Sequence, residues 1–116
     1  MNLASLSEDQ LFSPGLIAAT LRTTRDEVAR TAGLGRDAVS RKERIASART
    51  QKRLRELVEI LNRCEPRFGS ALLAYAWYRS EPLAGFDGQS AMQVVRDGHA
   101  DRVMEYIDAV DAGVFA

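Results

Sequence analysis

Leu54-Arg55-Glu56-Leu57-Val58-Glu59-Ile60-Leu61 places Leu54, Leu57, Val58 and Leu61 at i, i+3, i+4 and i+7, which is one face of an α-helix. Downstream, Pro66 is expected to close this helix or open the next, and Ala71, Leu72, Tyr75 and Ala76 repeat the helical spacing up to a break at Pro82. Glu81 to Gln89, with one proline and two glycines, reads as a loop. Ser90-Ala91-Met92-Gln93 is a capping box that starts a short helix ended by Gly98. A last helix from about Ala100 carries Val103, Ile107 and Val110 on one side and stops at Gly113. Upstream, Ser13-Pro14 caps a first helix with Leu16, Ile17 and Leu21 on its apolar face. Thr24-Arg25-Asp26-Glu27 is a second capping box, opening a helix from Thr24 to Ala32. Gly33-Leu34-Gly35 interrupts that helix, and a third helix is predicted from Arg36 to Ala46. No run of alternating β-branched residues is long enough for a strand, so the fold class is all-α. At 116 residues the chain suits one domain, or two small helical units sharing a core.

The net charge of zero conceals a segregation. Arg22 to Arg55 carries eleven Lys/Arg against four Asp/Glu, and the rest of the chain carries five against twelve. A basic block beside an acidic one suggests two partners, one of them polyanionic. No apolar run approaches the ~18 residues of a membrane span, and Met1-Asn2-Leu3-Ala4-Ser5 lacks the pattern of a signal peptide, so a cytoplasmic protein is expected. Cys64 is the single cysteine and His99 the single histidine, which leaves neither a disulfide nor a metal site to build. Cys64 reads as a packing residue and His99 as a surface or capping one. Asp97, Asp101, Glu105, Asp108 and Asp111 read as a solvated acidic face rather than an acid/base pair. Gly85-Phe86-Asp87-Gly88 lacks the lysine and glycine spacing of a phosphate loop. An enzyme, a metal and a cofactor are therefore not expected.

Arg25 to Arg44 fits the spacing of a helix-turn-helix. Ala29 is the small residue where two helices cross, and Gly33, four positions later, suits a turn that needs positive φ. Val28, Ala32, Leu34 and Val39 should point inward. Lys42 departs from the pattern at a position usually apolar, so the recognition helix is expected to be re-angled or pinned by Ile45 instead. The outward positions of that helix are Arg36, Asp37, Ser40, Arg41 and Arg44. Arginine can pair with guanine O6 and N7 and Asp37 can accept from cytosine N4, while Lys42, Arg49, Lys52 and Arg53 are left for phosphates.

Near the other end, Ala76-Trp77-Tyr78-Arg79-Ser80-Glu81-Pro82-Leu83-Ala84-Gly85-Phe86-Asp87-Gly88-Gln89-Ser90-Ala91-Met92 is followed by Val95-Arg96-Asp97-Gly98, Arg102-Val103, Ile107-Asp108 and Gly113-Val114-Phe115. This ordered set resembles the toxin-binding domain of the Xre/MbcA/ParS antitoxins, over the C-terminal third to half of the chain. The resemblance implies an Xre-like helix-turn-helix bundle over residues 1–64, followed by a small helical toxin-binding domain over residues 65–116. It further implies a type II antitoxin that obstructs the active-site entrance of a RES-domain, NAD-consuming toxin and autoregulates its operon on operator DNA, as a homodimer or in a larger toxin–antitoxin complex. The positions that match are Arg96, Asp97 and Gly98 at one turn, and Gly113, Val114, Phe115 and Ala116 at the end of the sequence. There Phe115 would anchor in the toxin and the terminal carboxylate would occupy an anionic substrate site. Trp77 and Tyr106 are assigned to the core. The competing reading is a stand-alone helix-turn-helix transcription regulator whose C-terminal half only mediates oligomerisation.

Overall fold

A single long helix, α4 (Ala48–Phe68), runs through the middle of the computed structural model, which describes residues 1–113. Leu54, Leu57, Val58 and Leu61 are all fully buried, and Ile60 and Cys64 widen the buried face. The Ser47 hydroxyl caps the start of α4 by accepting from the Thr50 N–H, and the chain leaves the helix at Gly69. Pro66 neither closes α4 nor opens the next helix. It lies in the last turn, where the missing N–H costs one bond, and the helix continues to Phe68, whose ring packs on Trp77 at 5.8 Å.

Before α4 the chain forms a hairpin, β1 (Ser7–Glu8) against β2 (Leu11–Phe12), then α1 (Pro14–Thr20) and α2 (Arg25–Thr31). The hairpin is a departure from the helical reading. Its strands are too short to show alternation, and Asp9 and Gln10 turn it with φ of 53° and 65°, as a two-residue turn of the hairpin type requires. The free edge of β2 is closed by one side chain: Gln51 on α4 accepts from the Phe12 N–H and donates to the Phe12 and Ile45 carbonyls. Ser13 and Thr24 cap α1 and α2 as expected. The reciprocal half of the Thr24 capping box is not made, because the Glu27 carboxylate turns instead to the Arg30 guanidinium, which holds it below its usual range. Ile17 and Leu21 are buried on the α1 face, whereas Leu16 is exposed.

The continuous third helix over Arg36–Ala46 is also corrected. The structure has a 3-10 turn at Arg36–Val39, an extended residue at Arg41 and a one-turn helix, α3 (Lys42–Ile45). The break falls at the position where Lys42 replaces the usual apolar residue. Lys42 is exposed, and only half-buried Ile45 turns toward the interior, so no apolar pair holds the two turns in one rod.

After α4 come α5 (Ala71–Ser80), a loop closed by the Pro82–Ser90 bridge, α6 (Ala91–Arg96) and α7 (Ala100–Asp111). Both halves of the Ser90–Gln93 capping box are formed. Val103 and Ile107 bury α7 against the rest, with Val110 half-buried. One core joins everything, from Leu6 and Ile17 to Val103 and Ile107. At its centre Thr31 is fully buried. The Tyr78 hydroxyl donates to the Thr31 carbonyl at 2.6 Å, and the Thr31 and Tyr75 hydroxyls are 2.9 Å apart. Tyr75 and Tyr78 are thus the fully buried aromatic residues of the core among those described. Trp77 and Tyr106, assigned there from sequence, are half-buried at its margin. Replacing Tyr78 by Phe keeps the ring and orphans a buried carbonyl; chemical denaturation should show a loss of about 1–3 kcal/mol with helix content unchanged.

Candidate functional site

The turn between α6 and α7 is built from three backbone bonds: Asp97 N–H to Gln93 O, Gly98 N–H to Val95 O and His99 N–H to Val94 O. This is a Schellman-like closure, and Gly98 supplies the left-handed residue at φ 90°. The closure leaves the side chains of Arg96, Asp97 and His99 exposed. Asp97 accepts from the Gln89 amide at 3.0 Å, and Gln89, Gln93, Arg96 and Asp97 line an open polar hollow of about 360 Å³. His99 stands at the N-cap of α7 without a side-chain capping bond.

Gly113, the other described member of the sequence-derived toxin-binding set, follows α7, and its N–H bonds to the Val110 carbonyl. Val114, Phe115 and Ala116 lie outside the described residues. The Arg96-Asp97-Gly98 turn and Gly113 sit at opposite ends of α7, about 18 Å apart for twelve helical residues. The structure therefore does not gather these residues at one point but sets them at the two ends of one rod. The acidic face of that rod is divided. Asp108 and Asp111 turn back onto Arg63 and Arg67 of α4, while Asp97, Asp101 and Glu105 stay on the exposed side.

Arg36, Asp37, Ser40, Arg41 and Arg44, the proposed base-reading set, are all exposed. They do not share one helix face. Arg36 and Asp37 ride on the 3-10 turn with Arg36 paired to Asp26 at 3.4 Å, Ser40 bonds back to the Asp37 carbonyl, and only Arg44 lies in α3. Lys42, Arg49 and Lys52 are exposed nearby, with Arg44 and Arg49 bordering a hollow of about 350 Å³ beside Ser47 at the α4 N-terminus.

Arg53 is different from the phosphate ligand expected of it. It is folded under the protein, 18 % exposed, with Nη1 2.5 Å from the Val95 carbonyl. The same guanidinium lies beside Gly33, where an added Cβ would be 3.4 Å from Nη1 and 3.2 Å from the Arg96 Cα. The turn of the predicted helix-turn-helix and the α6–α7 turn therefore touch. A signal for this was available in the sequence, since Arg53 stands four residues before Leu57 and seven before Ile60, at the inner edge of the α4 stripe.

Cys64 is buried, and desolvation raises its thiol to about 11, so it behaves as a packing residue and not a nucleophile. Among the described residues, no cluster of three His, Cys, Asp or Glu side chains could hold a metal, and no helix is long and apolar enough to cross a membrane.

Residues 65–113 match the family described as the antitoxin Xre/MbcA/ParS C-terminal toxin-binding domain. This segment is an Xre/MbcA/ParS-type toxin-binding domain. The match opens inside α4 and ends on Gly113, so the toxin-binding domain takes the last turn of α4, then α5, α6 and α7. Comparison with curated proteins and with solved structures returned no match.

Gly33, at φ 79°, lies against this toxin-binding domain so closely that an added Cβ would stand 3.2 Å from the Arg96 Cα. Gly33→Ala should cost about 1–3 kcal/mol by thermal or urea unfolding. Gly35→Ala, at φ −76° with open space around it, should stay within about 1 kcal/mol of the parent.

Proposed function

We propose that this chain is the antitoxin of a type II pair, that residues 65–116 bind and block a RES-type, NAD-consuming toxin, and that residues 1–64 bind operator DNA to repress the shared operon. The toxin-binding family of residues 65–113 carries the reading, and the resemblance of the ordered motifs supports a RES partner. The arrangement suits a cap. Arg96 and Asp97 stand clear of the core on a turn fixed by backbone bonds, and α7 spaces that turn from Gly113. Beyond Gly113, Phe115 is the apolar anchor of the proposed contact, and single buried aromatics of this kind dominate protein interfaces. Asp97, Asp101 and Glu105 offer negative charge to a basic rim, which speeds encounter more than it tightens the complex.

The DNA half of the proposal is supported by a basic ridge, Arg36, Arg41, Lys42, Arg44, Arg49 and Lys52, all exposed. Because the recognition segment is broken, base reading falls to Arg41 and Arg44 around the break, with Lys42, Arg49 and Lys52 on phosphates. A dimer on a palindrome would place two such ridges one helical turn of DNA apart.

Co-expression with a RES-domain toxin should restore growth and yield a complex. Deletion of Val114 to Ala116 should abolish the rescue while leaving the circular dichroism and melting curve unchanged. A truncated chain that still rescues growth removes the terminal anchor from the mechanism.

On the DNA side, Arg41→Ala should cost about 1–3 kcal/mol on the cognate operator and relax specificity at one base pair. Binding to the protein's own promoter with neither sequence preference nor salt dependence would leave the C-terminal toxin-binding role standing without operator recognition.

A further inference from the structure

We infer that Arg53 is a positioning residue for the toxin-binding turn, acting from beneath it through the Val95 carbonyl without touching the toxin; this rests on the toxin-binding role of Arg96-Asp97-Gly98 proposed above.

Three segments converge on its guanidinium. Arg53 itself belongs to α4, Val95 belongs to the last turn of α6, and Gly33 belongs to the turn after α2. The Val95 carbonyl is the acceptor from which the turn hangs, since it also takes the Gly98 N–H at 2.9 Å. A second donor on that oxygen, carrying a positive charge at a helix C-terminus, fixes the carbonyl direction and with it the exit of the chain through Asp97 and Gly98. Glu56 does not compete for the role. Its nearest oxygen is 3.8 Å from Nη1, and that buried oxygen has no hydrogen bond among the described residues. The arginine's close interaction is therefore with the turn and not with its helical neighbour. Shape matters as well as charge. The planar head fits between Val95 and the close approach of Gly33 to Arg96, and the ammonium of lysine would keep the charge but not the plane.

The test compares Arg53→Gln, Arg53→Lys and the exposed control Arg55→Gln in the full chain. Amide hydrogen exchange on the free protein reads the turn directly. Arg53→Gln should speed exchange at Gly98 and His99 by about tenfold or more, with amides of α5 and the middle of α7 unchanged. Affinity for a purified RES-domain toxin that the parent chain neutralises, measured well below each melting midpoint, should fall by about tenfold to a hundredfold in Arg53→Gln. Arg53→Lys, which retains the charge, should recover part of it, and Arg55→Gln should match the parent. A purely structural arginine would lower the melting temperature but leave the affinity of the folded protein intact, and that result overturns the proposal. If Arg53→Gln does not fold, Arg53→Lys decides: parental exchange at Gly98 together with parental affinity overturns it, and a local loss of both supports it. Should the parent protein bind no RES-domain toxin, the functional reading fails, while exchange at Gly98 and His99 still decides whether Arg53 sets the turn.

Discussion

Burial of one side of α4 organises the molecule because that helix is touched along its length by segments from both ends of the chain. Leu54, Leu57, Val58, Ile60 and Leu61 are fully enclosed, each contributing about 1.5–3 kcal/mol relative to exposure. The ion pairs Arg63–Asp108 and Arg67–Asp111 on the same helix are partly exposed, and pairs of that kind contribute about 0–1 kcal/mol. Apolar burial of Val103 and Ile107, not the charged pairs, therefore holds α7 in place. Asp108 and Asp111 lie where that buried face meets α4, at the edge of the contact.

A core so continuous has to satisfy whatever polar groups it encloses, and Thr31 is the one where both halves meet. Its carbonyl and hydroxyl find the Tyr78 and Tyr75 hydroxyls from α5. Burial drives the Tyr78 hydroxyl well above its ordinary range, so it remains a donor across the working pH range. The end of α2 is consequently fixed against α5 by bonds whose loss would leave buried groups unpaired, and the family match from residue 65 onward describes a unit whose packing includes partners before it.

What the sequence made legible followed local chemistry. Ser13, Thr24 and Ser90 predict helix starts because a cap needs only neighbours a few residues away, and the α4 stripe is a property of four positions within about two turns. The ordered motifs from Trp77 to Gly113 likewise pointed to the family that the match then showed. The features that escaped reading depend on distant contacts. The hairpin at residues 7–12 is held in place by Gln51, thirty-nine residues from Phe12, and no local signal announces such a partner. The third helix broke because continuity required an apolar contact at Lys42 that the sequence did not supply; the substitution was visible, but its consequence depended on the packing of Ile45. A basic run predicts a solvent-facing Arg53, whereas its spacing to Leu57 and Ile60 puts it at the inner edge of the stripe, where the structure has it.

The contact between Gly33 and Arg96 gives these observations a common consequence. The backbone turn of the predicted helix-turn-helix and the backbone of the α6–α7 turn are separated by little more than van der Waals distance, with the Arg53 guanidinium beside both. Protein interiors at this density do not deform smoothly, so a displacement of one turn has to be taken up by the other or by loss of the Arg53–Val95 bond. Each ridge residue from Arg36 to Arg44 follows Gly33 within eleven positions, and Asp97 and Gly98 follow Arg96 directly. The two proposed ligand surfaces are thus continuations of the two backbones that meet at this one point. If Arg96 and Asp97 contact a toxin as proposed, the turn that carries them gains its rigidity from the segment before it, which is a physical reason for a toxin-binding domain of about fifty residues to be built onto a larger core.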